Sequence, residues 1–268
     1  MAEPHEVSTA EPGCAEFAAR RLRGDGFVVV RGALDTARIS PWVTAVEARY
    51  RELESLVAEH GIWGAAGQLP PGTRYQAPVA ALGIDAVAGW EALAHSLDSM
   101  VWAASRALLG GQIGFDLDIC WLRRQYPPAR RSPGQEPHRF HQDGAYGMNF
   151  LETAPGDREL LPIVVAWMPF VTAGAAAPGL EFVTEGPRGV LGLDELDDKA
   201  IEARWPAANR VRPIVAFGDV VLLAGQALHR TWVTDAMSEV RTCAELRIVQ
   251  AEPLAPRLTG HAILDLGV

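Results

Sequence analysis

Lysine is almost missing from this 268-residue chain: Lys199 is the only one, and every other basic side chain is arginine. We read that bias as the mark of a GC-rich genome and attach no function to it. Basic charge is also in deficit overall, with 24 Lys and Arg against 33 Asp and Glu, a formal net charge of −9. Nucleic acid is therefore excluded as an expected partner, because phosphate binding needs concentrated positive charge. Cysteine is scarce: Cys14, Cys120 and Cys243 share no short spacing, so no disulfide framework or zinc-ligand pattern follows, which suits a reducing cytoplasm. No apolar run approaches the length of a bilayer span. The start, Met1-Ala2-Glu3-Pro4-His5-Glu6, lacks the basic end and apolar stretch of a signal peptide. A soluble, cytoplasmic protein without membrane or nucleic-acid partners is expected.

What is present suffices for a large core. Hydrophobic residues make up 49% and charged residues 21%, with no long polar tract, so one folded domain over 1–268 is expected. Residues 1–12 read as a flexible tail. Glu16 to Arg23 reads as a helix, Phe27 to Arg31 as a strand, and Asp35 to His60 as a helix with Asp35 as N-cap. Ile62 to Val87, rich in Gly and Pro, reads as a loop over a site mouth. Trp90 to Leu109 reads as one helix stopped by Gly110-Gly111, and Asp194 to Arg204 as a short helical insertion. From Ile113 onward, short strands recur between Gly and Pro turns. The fold class expected is mainly β with flanking α-helices, around a double-stranded β-helix or jelly-roll core of cupin-like form.

The chemistry is concentrated in His141-Gln142-Asp143. On an extended backbone a His-x-Asp pair points both side chains to one face, because strand side chains alternate. His229 closes a second segment, Phe217 to Leu228, that reads as turn, apolar strand, turn. Two imidazoles and one carboxylate form the facial triad suited to non-haem Fe(II), with open positions left on the metal. Arg241, twelve residues after His229, offers a fixed cation to a carboxylate-bearing cosubstrate. His138 is close enough to compete as a ligand, and Arg247 rivals Arg241. Arg130, Arg131 and Arg139 read as a solvated loop rather than a substrate clamp. Tyr146, Met148, Asn149 and Phe150 are candidate pocket-lining residues. His60, His95 and His261 have no metal-like spacing.

Several segments carry a family likeness: Trp121 to Tyr126, Pro137 to Gly144, Val165 to Pro169, Ala177 to Val183, and the His229 and Arg241 region. From about Phe115 to Val249 the chain resembles the phytanoyl-CoA dioxygenase-like branch of the Fe(II)/2-oxoglutarate-dependent oxygenases. The resemblance implies iron ligation by His141, Asp143 and His229. It implies a 2-oxoglutarate carboxylate held by Arg241 and Thr231, with O2 as the third participant and a small molecule as substrate. Gln125, and Arg123 on the same strand face, are further candidates for the cosubstrate. Two departures stand out. The family often places its arginine eleven residues after the second histidine, where this chain has Val240, and commonly has Trp at the position of Val164. Relatives that halogenate lack the carboxylate, so Asp143 disfavours halogenation. Hydroxylation is the default expected outcome, with desaturation, cyclisation and epimerisation possible on the same ligands. The competing readings are a cupin-like metalloenzyme with non-oxidative chemistry and a non-catalytic binding barrel.

Overall fold

A computed structural model describes residues 5–60, 76–77, 86–131, 135–145, 160–192 and 194–265. Its strands, numbered along the chain, are β1 (Glu6–Ser8), β2 (Phe27–Arg31), β3 (Gln76–Ala77), β4 (Gln112–Asp116), β5 (Trp121–Gln125) and β6 (His141–Gln142). They continue with β7 (Ile163–Pro169), β8 (Gly179–Val183), β9 (Arg210–Val211), β10 (Val220–Ala224), β11 (Leu228–Trp232), β12 (Arg241–Glu252) and β13 (Ile263–Leu264). The helices are α1 (Cys14–Gly24), α2 (Thr36–His60), α3 (Ala86–Ala94), α4 (Ser99–Leu109) and α5 (Asp198–Arg204).

Among the described residues the strands form two sheets. The larger has nine strands, running β1-β2-β10-β7-β12-β4-β13, with β5 and β3 branching beside β12. The smaller runs β6-β11-β8-β9. Alternation along the strands decides what each face meets. Val28, Val30, Val164, Ala166, Met168, Val220, Leu222, Ala244, Leu246 and Ile248 pack in one cluster with Leu22, Ile39, Trp90 and Val101 of the helices. Their odd-numbered neighbours Phe27, Val29, Ile163, Val165, Trp167, Val221 and Leu223 turn the other way, toward Leu180 and Phe182 of the smaller sheet. The layers are thus helices, large sheet, small sheet. Behind the small sheet, Phe140, Val183 and Leu228 pack on Ile201 of α5 and Trp205. This is the jelly-roll class expected from the strand pattern.

Helix ends follow local chemistry. Asp35 accepts from the Arg38 backbone N–H at 3.1 Å, the N-cap read from the sequence. The single helix expected over Trp90 to Leu109 is instead two, α3 and α4. Asp98 stops the run by capping α4, accepting from the Met100 N–H at 2.8 Å. Within the expected tail of residues 1–12, Glu6–Ser8 is corrected to a strand. Glu6, Val7 and Ser8 pair in parallel with Val29, Val30 and Arg31, so the segment is tied to the edge of the large sheet. The short insertion forms as α5, starting later than expected and capped by Asp197. Most of the Ile62–Val87 loop lies outside the described residues. No helix among the described residues is long and apolar enough to cross a membrane.

Candidate metal centre

His141 and His229 lie directly opposite each other in the antiparallel pairing of β6 and β11. Asp143 follows one residue beyond β6, where the chain turns into a short 3-10 helix over Asp143–Ala145. Strand alternation therefore aims both rings at one space, and the turn brings the carboxylate in beside them. One ligand atom from each of the three side chains lies within 4.8 Å of the others, a spacing that could hold a metal ion. His141 Nε2 is 3.6 Å from Asp143 Oδ1, and His229 Nε2 is 4.0 Å from Asp143 Oδ2.

The rings are fixed from behind. His141 Nδ1 donates to the Arg139 carbonyl at 2.6 Å, and His229 Nδ1 donates to the Ala227 carbonyl at 3.0 Å. Each bond sets the tautomer that leaves Nε2 with a lone pair facing the centre. Burial, then the nearby His229 ring, pushes the His141 pKa down to about 3, so its imidazole is neutral and ligand-competent. Burial alone would raise the Asp143 carboxyl. The Arg247 guanidinium, with both histidines behind it, overrides that and holds Asp143 well below the usual carboxylate range.

The residue between the ligands faces away and anchors them. The Gln142 amide donates to the carbonyls of Gly189 and Gln226 and accepts from the Leu191 N–H. Gly144 is held in a close backbone approach. Its N–H donates to the Gly225 carbonyl at 2.8 Å, and a Cβ there would meet that oxygen at 2.8 Å and the Leu161 carbonyl at 2.9 Å. The turn carrying Asp143 is thus clamped against the turn that leads to His229.

A cavity of about 20 Å³ opens beside the triad, lined by Arg123, His138, Val165, Trp167, Thr231 and Arg241, among others. Arg241 is only 2% exposed and sits over the Trp167 ring at 5.2 Å. Its hydrogen bonds are to two carbonyls, Gly179 at 3.3 Å and Pro178 at 3.5 Å, and its Nε has no partner within the described structure. The rival, Arg247, is committed elsewhere. It ion-pairs with Asp143 Oδ1 at 3.2 Å and with Glu245 at 3.4 Å. Arg123 lines the cavity but is matched by Glu245 at 2.6 Å. Among the described residues three guanidiniums therefore meet two carboxylates, and the unmatched one is Arg241.

The other expected site residues divide. Thr231 lines the cavity on the same strand face as His229. Gln125 does not line it: although in register beside Arg241 across β5 and β12, its amide donates to the Gln135 carbonyl at 3.2 Å. His138 lines the cavity without joining the ligand cluster, and Arg123 contacts its ring at 2.8 Å. Val164 faces the helices and Trp167 faces the site, so Trp167 is the aromatic wall. Arg130 and Arg139 are exposed. Tyr146, Met148, Asn149 and Phe150 lie outside the described residues. Sequence reading missed Glu245, although charged residues at alternate positions of the β12 strand were the available signal. The thiols are no rivals as ligands, since burial pushes Cys120 up to about 12 and Cys243 up to about 11.

No family model and no curated protein matches the chain. Solved structures do. The non-heme alpha-ketoglutarate-dependent epimerase SnoN of nogalamycin biosynthesis, solved with Fe3+, alpha-ketoglutarate and nogalamycin RO, matches with TM-score 0.57 and 20% identity, over 90% of this chain and 85% of that one. The carbocyclase SnoK of the same pathway, also alpha-ketoglutarate dependent, matches with TM-score 0.56 and 17% identity, over 90% and 88%. EctD from S. alaskensis, solved with 2-oxoglutarate and 5-hydroxyectoine, matches with TM-score 0.61 and 13% identity, over 94% and 82%. At these identities the likeness is one of fold: the chain shares the jelly-roll architecture of those structures.

Proposed function

We propose that this chain is a non-haem Fe(II)- and 2-oxoglutarate-dependent oxygenase of the phytanoyl-CoA dioxygenase-like branch, acting as one domain on a small organic metabolite. The observation that carries the reading is Arg241, a buried guanidinium without a matching carboxylate among the described residues, in the same cavity as a His-Asp-His cluster. A buried unpaired charge is costly, so it persists where an anion completes it. A non-oxidative metalloenzyme or an inert barrel gives no reason to keep it. The three free cysteines favour a reducing compartment, and we place the protein in the cytoplasm.

The donor set fits the group. His141, Asp143 and His229 would hold Fe(II) through two imidazole nitrogens and one carboxylate, which leaves the centre positively charged toward an anionic cosubstrate. When bound, iron with 2-oxoglutarate and O2 supplies the oxidising power that removes hydrogen from a substrate carbon. The protein's own part is positional. Arg241 would take the distal carboxylate of the cosubstrate as a two-pronged donor, a geometry that lysine lacks, and the Thr231 hydroxyl would add a hydrogen bond. Val165, Leu180 and Leu223 make the wall apolar and exclude water around the reacting atoms. Hydroxylation is the default outcome of hydrogen removal; desaturation, cyclisation and epimerisation are the alternatives, and the structural neighbours SnoK and SnoN are a carbocyclase and an epimerase.

Replacement of His141 or Asp143 by Ala tests the reading. Iron bound after anaerobic loading should fall to background, and succinate formation from 2-oxoglutarate should cease. Variants that retain both would overturn it.

A further inference from the structure

We infer that Arg247 is a positioning residue for the carboxylate of Asp143. The inference rests on the reading that His141, Asp143 and His229 hold a metal, and it deepens that reading by giving the second β12 arginine a task distinct from that of Arg241.

A carboxylate can ligate through one oxygen or both, and a triad keeps three positions open only if it uses one. Arg247 engages one oxygen: its Nη2 lies 3.2 Å from Asp143 Oδ1, and among the described residues no guanidinium contacts Oδ2. The engagement is rigid because the guanidinium is held on several sides. Its Nη1 donates to the Ile119 carbonyl at 2.5 Å, and its Nη2 lies 3.4 Å from Glu245 Oε2. Its backbone N–H points to Cys120 Sγ at 3.3 Å, and the residue stands in register with Val165 of β7. Glu245 is itself fixed by Arg123 at 2.6 Å. The chain Arg123–Glu245–Arg247–Asp143 thus runs from the cavity wall to the ligand through charged contacts.

The residue type follows from this geometry. A planar fork reaches a carboxylate, a second carboxylate and a carbonyl at once, whereas an ammonium reaches them only by turns. The strand also matters: Arg241 and Arg247 are six residues apart on β12, an even spacing that turns both to the same face. Among the described residues, one is matched by carboxylates and the other is not. Arg247 therefore serves the ligand, and Arg241 remains available to an anion.

The test uses the full chain titrated anaerobically with Co(II) alone, followed by its visible absorption spectrum, which reports coordination number and geometry. Wild type, Arg247→Lys, Arg247→Gln, Glu245→Gln and Asp143→Ala are compared, with circular dichroism to establish folding. Arg247→Gln should weaken Co(II) binding about 10- to 100-fold, the usual effect of losing a partner behind a ligand. Its spectrum should change, because the carboxylate is free to rotate and chelate. Arg247→Lys should recover part of the affinity. Should Arg247→Gln fail to fold, Arg247→Lys and Glu245→Gln carry the comparison, with smaller shifts in the same direction. Folded Arg247 and Glu245 variants with wild-type affinity and spectrum would overturn the inference while leaving the metal reading intact. Wild type that binds no Co(II), or Asp143→Ala that binds like wild type, would overturn the metal reading itself.

Discussion

Replacing Arg241 with Met should separate two quantities that a structural arginine would lose together. This residue is 2% exposed and its guanidinium contacts carbonyls at 3.3 and 3.5 Å, with no carboxylate against it among the described residues. A buried ion carries a desolvation penalty of several kcal/mol even after relaxation. Against this stand a cation–π contact with Trp167, about 0.5–2 kcal/mol, and two long carbonyl bonds. Met keeps much of the reach and removes the charge. Stability should hold or rise by about 1–3 kcal/mol, which at roughly 2–4 °C per kcal/mol is visible in a thermal melt. Cosubstrate affinity should move the other way. Truncating one side of a buried, hydrogen-bonded charge pair costs about 2–5 kcal/mol, or roughly 30- to 4,000-fold in Kd. Anaerobic calorimetric titration of 2-oxoglutarate into metal-loaded protein measures that loss, and metal affinity should stay within about threefold of wild type because Arg241 touches no ligand atom. A Kd within about threefold of wild type would refute the assignment of Arg241. A large fall in melting temperature together with lost binding would refute the claim that its charge is unmatched.

The metal-free protein should lose stability as pH falls below about 6.5. Burial holds His141 down at about 3, and burial with Arg123 holds His138 well below its ordinary value, so the unfolded chain binds protons that the folded one refuses. Each ring then removes up to about 1.4 kcal/mol per pH unit, so the stability present above pH 6.5 drains away on acidification. Urea midpoints between pH 8 and 5 check this, and a flat or rising midpoint below pH 6.5 would contradict it. Gly144→Ala should lower stability by about 1–3 kcal/mol, since its Cβ would fall within 3 Å of the Gly225 and Leu161 carbonyls. Because the same turn carries Asp143, Co(II) affinity should drop as well, and a variant that melts and titrates like wild type would show that the close approach is not rigid.

The clustering of His141, Asp143 and His229 was legible because it is set locally: three residue types on two extended segments suffice to aim them together. Asp35 was legible for the same reason, as a cap acts within its own helix. Asp98 was hidden because apolar periodicity continues on both sides of it, so its cap reads as one more residue of a longer helix. The strand at Glu6–Ser8 was illegible because Glu-Val-Ser carries no strong strand preference and acquires its form from parallel pairing with β2. The choice between Arg241 and Arg247 could not be made from spacing. It depends on where Asp143 and Glu245 place their charge, a fact about three-dimensional neighbours. Gln125 shows the converse, since the expected strand face was right but a local carbonyl claims its amide.

The three candidate ligands and the three guanidiniums belong to different halves of the sandwich: His141, Asp143 and His229 come from or directly follow strands of the small sheet, whereas Arg123, Arg241 and Arg247 stand on the large one. A complex that engages both sets is a noncovalent staple across the seam between the sheets. Its binding free energy is then also a free energy of sheet closure, and saturating ligand must slow any opening motion that parts the layers. Fluctuation of the sandwich and occupancy of its centre become a single thermodynamic variable, so a substitution far from the chemistry that loosens the seam would surface first as a weaker apparent affinity.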